Sequence, residues 1–203
     1  MKLTIFVCCL LLVCASGISM VPAQEQRSEP QPKKEKFSAL AFLPSGAGPM
    51  MAGAGARANV DLYLNRYTSD QEAKAYAALL IEKGPDALHK ALEDAKSIGK
   101  ITLTGRVGFY DLKVIRSHRI QGGRRIYAVG DRPIGFLEAY YAGRSRDYEF
   151  GILQLDLKPN SKGREEGEGA LLYAAKIKVL SGNNIEVESY GNGSVRLMGV
   201  RKL

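Results

Sequence analysis

Few side chains in this chain are suited to proton transfer or metal ligation. There are two histidines, His89 and His118. His89 precedes Glu93 by one helical turn, a spacing that puts both on one helix face. Two ligands at that spacing are short of a metal site, so His89 reads as part of a solvated helix face. His118 lies in Arg116-Ser117-His118-Arg119. Neighbours in a strand point to opposite faces, so Ser117 and His118 do not form a nucleophile–base pair, and His118 reads as an exposed strand-end residue. Asp131, Glu138, Asp147, Glu149 and Asp156 are carboxylates of the later, β-rich part. Two carboxyl groups about 5–10 Å apart can hydrolyse a glycosidic bond, and Asp131 with Glu138 is the candidate acid/base pair. The plainer expectation is cross-strand pairing with nearby arginines. The pattern points to no catalytic residue beyond that pair and to no metal or cofactor ligand.

The cations cluster more clearly. Arg116, Arg119, Arg124 and Arg125 surround one expected hairpin turn, and Arg144 and Arg146 another, beside Tyr140, Tyr141 and Tyr148. A rim of this kind attracts an anionic ligand, polysaccharide or membrane surface. The competing expectation is charge that keeps loops soluble and strand edges unpaired. The 203 residues carry a formal charge of +8, with 22 glycines, 8 prolines and no tryptophan. That composition excludes a collagen-like repeat, a disulfide-stapled miniprotein and a fully disordered chain. The stretch Ala52-Gly53-Ala54-Gly55-Ala56 lacks the Gly-Lys-Ser/Thr ending of a phosphate loop. Asn192-Gly193-Ser194 is a glycosylation sequon, meaningful only in a eukaryotic host.

The elements that must position these groups are mostly strands. Val60, Leu62 and Leu64 alternate with polar neighbours, as a half-buried strand does. Ser69 and Glu72 form a capping box, and Ala73, Tyr76, Ala77 and Leu80 follow at helical spacing. Gly84 ends that helix. Pro85 opens a second one carrying Leu88, Ala91, Leu92 and Ala95. Strands are expected from Ile101 to Val107, Tyr110 to Ile120, Arg124 to Val129, Ile134 to Tyr141, Tyr148 to Leu157, Leu171 to Val179, Ile185 to Val187 and Val195 to Val200. Gln121-Gly122-Gly123 is a turn, Asp131-Arg132-Pro133 breaks a ladder, and Pro159 opens a charged loop through Glu168. Short connections require antiparallel neighbours. The expected fold is therefore α+β: an antiparallel meander of about nine strands, barrel-like or two packed sheets, with an inserted helical hairpin.

The first residues read as an export signal. Leu3 to Val13 is apolar, small residues follow, and Val21 and Ala23 have signal-peptidase spacing, which predicts cleavage after Ala23. Cys8, Cys9 and Cys14 all fall in residues 1–23, so the mature chain is expected to be cysteine-free. Residues 24–57 read as a flexible low-complexity linker, with the apolar piece Phe37 to Leu43 docking on the domain, and residues 58–203 as one domain.

Arg66-Tyr67-Thr68-Ser69-Asp70, Glu82-Lys83-Gly84-Pro85-Asp86-Ala87-Leu88, Ile98-Gly99, Asp131-Arg132-Pro133-Ile134-Gly135-Phe136 and Tyr148-Glu149-Phe150 together resemble an uncharacterised family of exported bacterial proteins. The likeness runs from about Ala58 to Leu203. It implies export and a single domain, and it carries no activity and no site residues. The chain is thus expected to be an exported, periplasmic or extracellular, non-enzymatic binding or envelope-associated module. Its partner would be a small apolar ligand held in the barrel mouth or in the space between sheet and helices, lined by aliphatic and tyrosine side chains, or an anionic surface. Nucleic acid is not an expected partner, and no transmembrane span remains after cleavage. The alternatives are a carboxylate-dependent hydrolase or isomerase and a surface protein that binds anionic partners through its arginine-rich turns.

Overall fold

The computed structural model describes residues 34–43, 56–104, 108–135, 147–190 and 194–203. The expected leader, most of the linker, Glu138, Tyr140, Tyr141, Arg144, Arg146 and the start of the sequon lie outside them. The elements in chain order are β1 (Glu35–Leu43), β2 (Ala56–Leu64), α1 (Asp70–Lys83), α2 (Pro85–Asp94), β3 (Gly99–Leu103), β4 (Tyr110–Leu112), β5 (Val114–Ile120), β6 (Gly123–Gly130), β7 (Phe150–Pro159), β8 (Glu165–Val179), β9 (Ile185–Ser189) and β10 (Val195–Lys202).

All pairings are antiparallel, in the order β4-β3-β2-β1-β10-β8-β7-β6-β5, with β9 added beside β8. The two ends of this order meet, because β4 and β5 are nearly one strand. The expected strand from Tyr110 to Ile120 is split at Lys113, where the chain leaves β3 for β6: Ile98 N–H donates to Leu112 O at 2.9 Å and Lys113 N–H to Val129 O at 2.8 Å. Thr68, buried after β2, clips the seam by exchanging bonds with Ile115, N–H to O at 2.8 Å and N–H to Oγ1 at 2.9 Å. The result is a nearly closed barrel with an inserted helical hairpin, an α+β architecture. With β9 outside the ring and β4–β5 acting as one stave, eight staves remain. A ring of that size has an interior that side chains alone can fill.

The inward residues do fill it. Phe37, Leu62, Leu64, Ile101, Leu112, Ile115, Ile126, Leu153, Leu155, Leu157, Leu171 and Leu197 are all buried in one cluster. Gly167 and Gly169 of β8 are inward positions where a Cβ would lie 1.8 Å from Asp156 O and 2.4 Å from Gln154 O. Only glycine permits that approach, and it lets the strand coil tightly enough to close the ring.

Three assignments differ from the expectation. The linker assigned to 24–57 contains β1, which lies between β2 and β10, and β2 itself begins at Ala56. Its neighbours in sequence are low in complexity, but Phe37, Ala39 and Ala41 alternate, and burying them offsets the cost of ordering the strand. The charged stretch Glu165 to Glu168, expected as loop, is the start of β8, because its charges face outward or into the barrel mouth. Ile134, expected to begin a strand, lies outside any strand but is core: its N–H donates to Tyr173 O at 2.7 Å.

The helical hairpin forms as its caps dictate. Ser69 Oγ accepts from Glu72 N at 3.2 Å, and Glu72 Oε2 accepts from Ser69 N at 2.8 Å. Hydrogen bonds from Arg66 first, then from the Ser69 backbone, hold the Glu72 carboxyl down at about 2. Gly84 sits at φ +85°, ending α1, and Pro85 starts α2. Leu80, Leu88 and Leu92 form a second core against Phe150, Leu172, Ala175 and Ile177 on the outside of β7 and β8. The helices thus cover one outer flank of the barrel. No helix among the described residues is long and apolar enough to cross a membrane.

Candidate functional site

Four charged residues end four inward-facing rows at one mouth of the barrel. Glu35 lies two positions before Phe37 on β1, Arg124 two before Ile126 on β6, Glu165 two before Gly167 on β8, and Lys202 two after Val200 on β10. Lys202 reaches this layer because β10 has an irregular register between Leu197 and Val200, with Gly199 at φ +59°. The extra residue flips the alternation. Leu197, Val200 and Lys202 then all face the interior.

Arg124 organises the layer. Its Nε and Nη2 donate to the two oxygens of Glu165, both at 2.6 Å. Nη2 also reaches the Glu35 carboxylate at 3.0 and 3.1 Å, and Nη1 donates to Tyr67 OH at 3.0 Å. Tyr67 OH in turn donates to Glu35 Oε2 at 2.6 Å. Lys202 Nζ bridges the same carboxylates, to Glu35 at 2.6 Å and Glu165 at 3.1 Å. The Glu35 side chain is only 7% exposed. A carboxylate so buried persists only when it is paired and hydrogen-bonded. Two acids and two bases here cancel in charge.

Burial pushes the Glu35 carboxyl up, but hydrogen bonds from Arg124, Lys202 and Tyr67 outweigh it and hold it below the usual carboxylate range. Glu165 behaves alike: burial raises it, and Arg124 and Lys202 bring it below normal. Burial, followed by the bond to Glu35, raises the Tyr67 hydroxyl far above its ordinary value. Both acids are thus ionised and the phenol neutral at neutral pH. Neither carboxyl has a proton to give as a general acid, and Arg124 and Lys202 occupy the oxygens that would accept one. Above the layer lies a cleft of about 570 Å³, lined by Glu35, Arg124, Gly163, Arg164, Glu165, Lys202 and Leu203. An adjoining one of about 410 Å³ adds Ser38, Glu166 and Arg201. The Arg164 guanidinium is exposed and makes no ion pair among the described residues.

The residues singled out in the sequence are placed apart. Asp131 Oδ2 faces Lys113 Nζ at 3.3 Å, and Lys113 also donates to Ala95 O at 2.8 Å. The other Asp131 oxygen, Oδ1, is buried without a hydrogen-bond partner among the described residues. The proposed partner of Asp131, Glu138, lies outside the described residues. Of the arginines around the β5–β6 turn, Arg116 pairs with Asp70 at 2.6 Å, Arg125 with Asp156 at 2.5 Å, and Arg124 belongs to the mouth. Arg119 is exposed beside them. Three of the four arginines of this turn are thus paired: Asp156 lies opposite Arg125 in the β6–β7 register, Asp70 at the start of α1 meets Arg116, and Glu35 and Glu165 meet Arg124. His118 is exposed, its ring 6.1 Å from that of Tyr127.

His89 does not lie on a solvated face. Its Nε2–H donates to Asp131 O at 2.8 Å, its ring meets Phe150 edge-on at 5.5 Å, and Nδ1 is 3.7 Å from Glu149 and 4.0 Å from Glu93. Helix α2 packs on the barrel with that side inward, which its own periodicity does not reveal. No three His, Cys, Asp or Glu side chains among the described residues are placed to hold a metal ion. Glu35, Tyr67, Glu165 and Lys202 were not apparent as a group in the sequence. The available signal was a charge that continues an apolar row of period two, as Glu35 does before Phe37, Ala39 and Ala41.

No family model matches this chain, and neither a curated protein nor a solved structure matches it.

Proposed function

We propose that the chain is an exported, non-enzymatic binding module that takes a small anionic ligand at the charged barrel mouth. The observation that carries this reading is the mouth layer itself: the interior beneath it is filled, and the cleft above presents Arg164 and Lys202 over a floor whose own charges are balanced. A carboxylate or phosphate group entering there gains a free guanidinium and one face of an ammonium, both able to donate charge-assisted hydrogen bonds. The expected export leader supports a role outside the cytoplasm. An acid/base mechanism at this site is disfavoured, since Glu35 and Glu165 are both held ionised and fully engaged.

The reading is tested by calorimetry with a panel of small carboxylates and phosphates on residues 24–203 and on Arg164→Ala. A ligand whose affinity falls at least about tenfold in the variant supports it, in line with the loss of one charged hydrogen bond. Ligands that bind equally to both proteins, or a panel without binders, would refute it.

A further inference from the structure

The helices cover the flank formed by β7, β8 and β9, and the opposite outer face of the barrel carries no helix among the described residues. Strand register places its residues. Phe42 lies between Arg57 and Arg196, Tyr63 between Lys36 and Lys100, and Ser38 between Asp61 and Arg201. The outward positions of β10, β1, β2 and β3 therefore hold five cations against one carboxylate, Asp61, with Asp111 and Glu166 at the two borders. Phe109, 51% exposed, stands beside Lys100.

The rings on this face already carry cations. Lys36 and Lys100 each sit 5.1 Å from the Tyr63 centroid, Lys100 also lies 5.3 Å from Phe109, and Arg57 lies 5.3 Å from Phe42. Ring faces so occupied are not free to stack on a nucleobase or a sugar. What remains outward is a convex sheet of ammonium and guanidinium groups with aromatic edges among them, around a central row of Asn59, Leu40 and Met198. Such groups settle at the headgroup level of a bilayer, where cations meet lipid phosphates and rings lie at the interface. The cations spread over about 20 Å along β1 and about 14 Å across the four strands, the scale of several headgroups rather than of one ligand.

We infer that the β10–β1–β2–β3 face docks on an anionic lipid surface, with Lys36, Lys100, Arg57 and Arg196 at the phosphates and Phe109 at the interface. These four cations and Phe109 line neither mouth cleft, although the smaller cleft borders the face at Ser38, Glu166 and Arg201, and a ligand bound at the mouth is not required for docking.

Sedimentation of residues 24–203, which include every described element, with phosphatidylcholine vesicles holding one part in three phosphatidylglycerol tests the inference. Binding is expected to the mixed vesicles, to vanish on pure phosphatidylcholine, and to weaken steeply with salt. Lys36→Gln with Lys100→Gln should weaken it roughly 25-fold, about fivefold per lysine. The same charge change elsewhere, Arg119→Gln with Lys158→Gln, should alter it far less. Unchanged melting temperatures would show that both variants are folded, and Phe109→Ser provides a second, charge-neutral probe expected to weaken binding. Equal loss in the two double variants would reduce the effect to net charge and overturn the assignment. Absent vesicle binding, or binding to heparin or a single-stranded oligonucleotide in its place, would overturn it as well.

Discussion

Replacing Arg124 by methionine tests the charged layer most directly. The substitution keeps most of the aliphatic stem and removes five hydrogen bonds: two to Glu165, two to Glu35 and one to Tyr67. Lys202 alone then faces two carboxylates, one of them 7% exposed. Removing one partner of a buried pair costs about 3–5 kcal/mol. Arg124 and Glu165 keep side-chain exposures of 19% and 24%, so solvent screens part of the loss and the lower end, about 3 kcal/mol, is expected. For a domain of this size that is a fall in Tm of about 6–12 °C.

The effect must also depend on pH with a definite sign. Glu35 and Glu165 lie below their ordinary values in the folded protein. Their contribution is complete above the unfolded carboxyl value, about 4.3, and is lost as pH falls through the depressed folded values. In the variant, burial acts on Glu35 against fewer opposing bonds, so acidification costs that protein less. The gap between wild type and variant should therefore be full at pH 7 and shrink toward pH 3. Urea denaturation across that range measures it. A Tm loss under about 2 °C at neutral pH, or a gap unchanged by acid, would refute the reasoning.

Two further substitutions probe the frame around the mouth. Gly167→Ala would place a methyl group 1.8 Å from Asp156 O, so the β7–β8 ladder must shift; a cost of about 3 kcal/mol or more is expected by thermal denaturation, and a neutral result would show that ring closure does not depend on that approach. Leu92→Ala empties a fully buried position under α2 and should cost about 2–4 kcal/mol. Hydrogen exchange should then show the α1–α2 hairpin opening while the β6 and β7 amides stay protected; uniform loss of protection would mean that helices and barrel form a single cooperative unit.

Local signals were legible where short-range physics decides them. The Ser69–Glu72 box, the Gly84–Pro85 junction and the two-residue turn before Gly123 each satisfy backbone groups within a few residues. The antiparallel class followed from alternation and short connections. β1 was obscured, because the stretches flanking it have the composition of a tether. The change of partner at Lys113 was also hidden, since the alternation of Tyr110 to Ile120 runs nearly unbroken through it. Only the closing of the ring brings the two flanking strands to either side of one segment.

By itself the sequence determined both helices with their ends and most of the strands with their apolar sides, because those depend on neighbours a few positions away. Tertiary structure alone decided that Glu35, Arg124, Glu165 and Lys202 meet, across separations of up to 167 positions. It decided too that Arg116, Arg124 and Arg125 around the β5–β6 turn are paired rather than free. The reason is register: a barrel's stagger and a bulge at Gly199 select which charged ends share a layer, and neither is written in any local pattern.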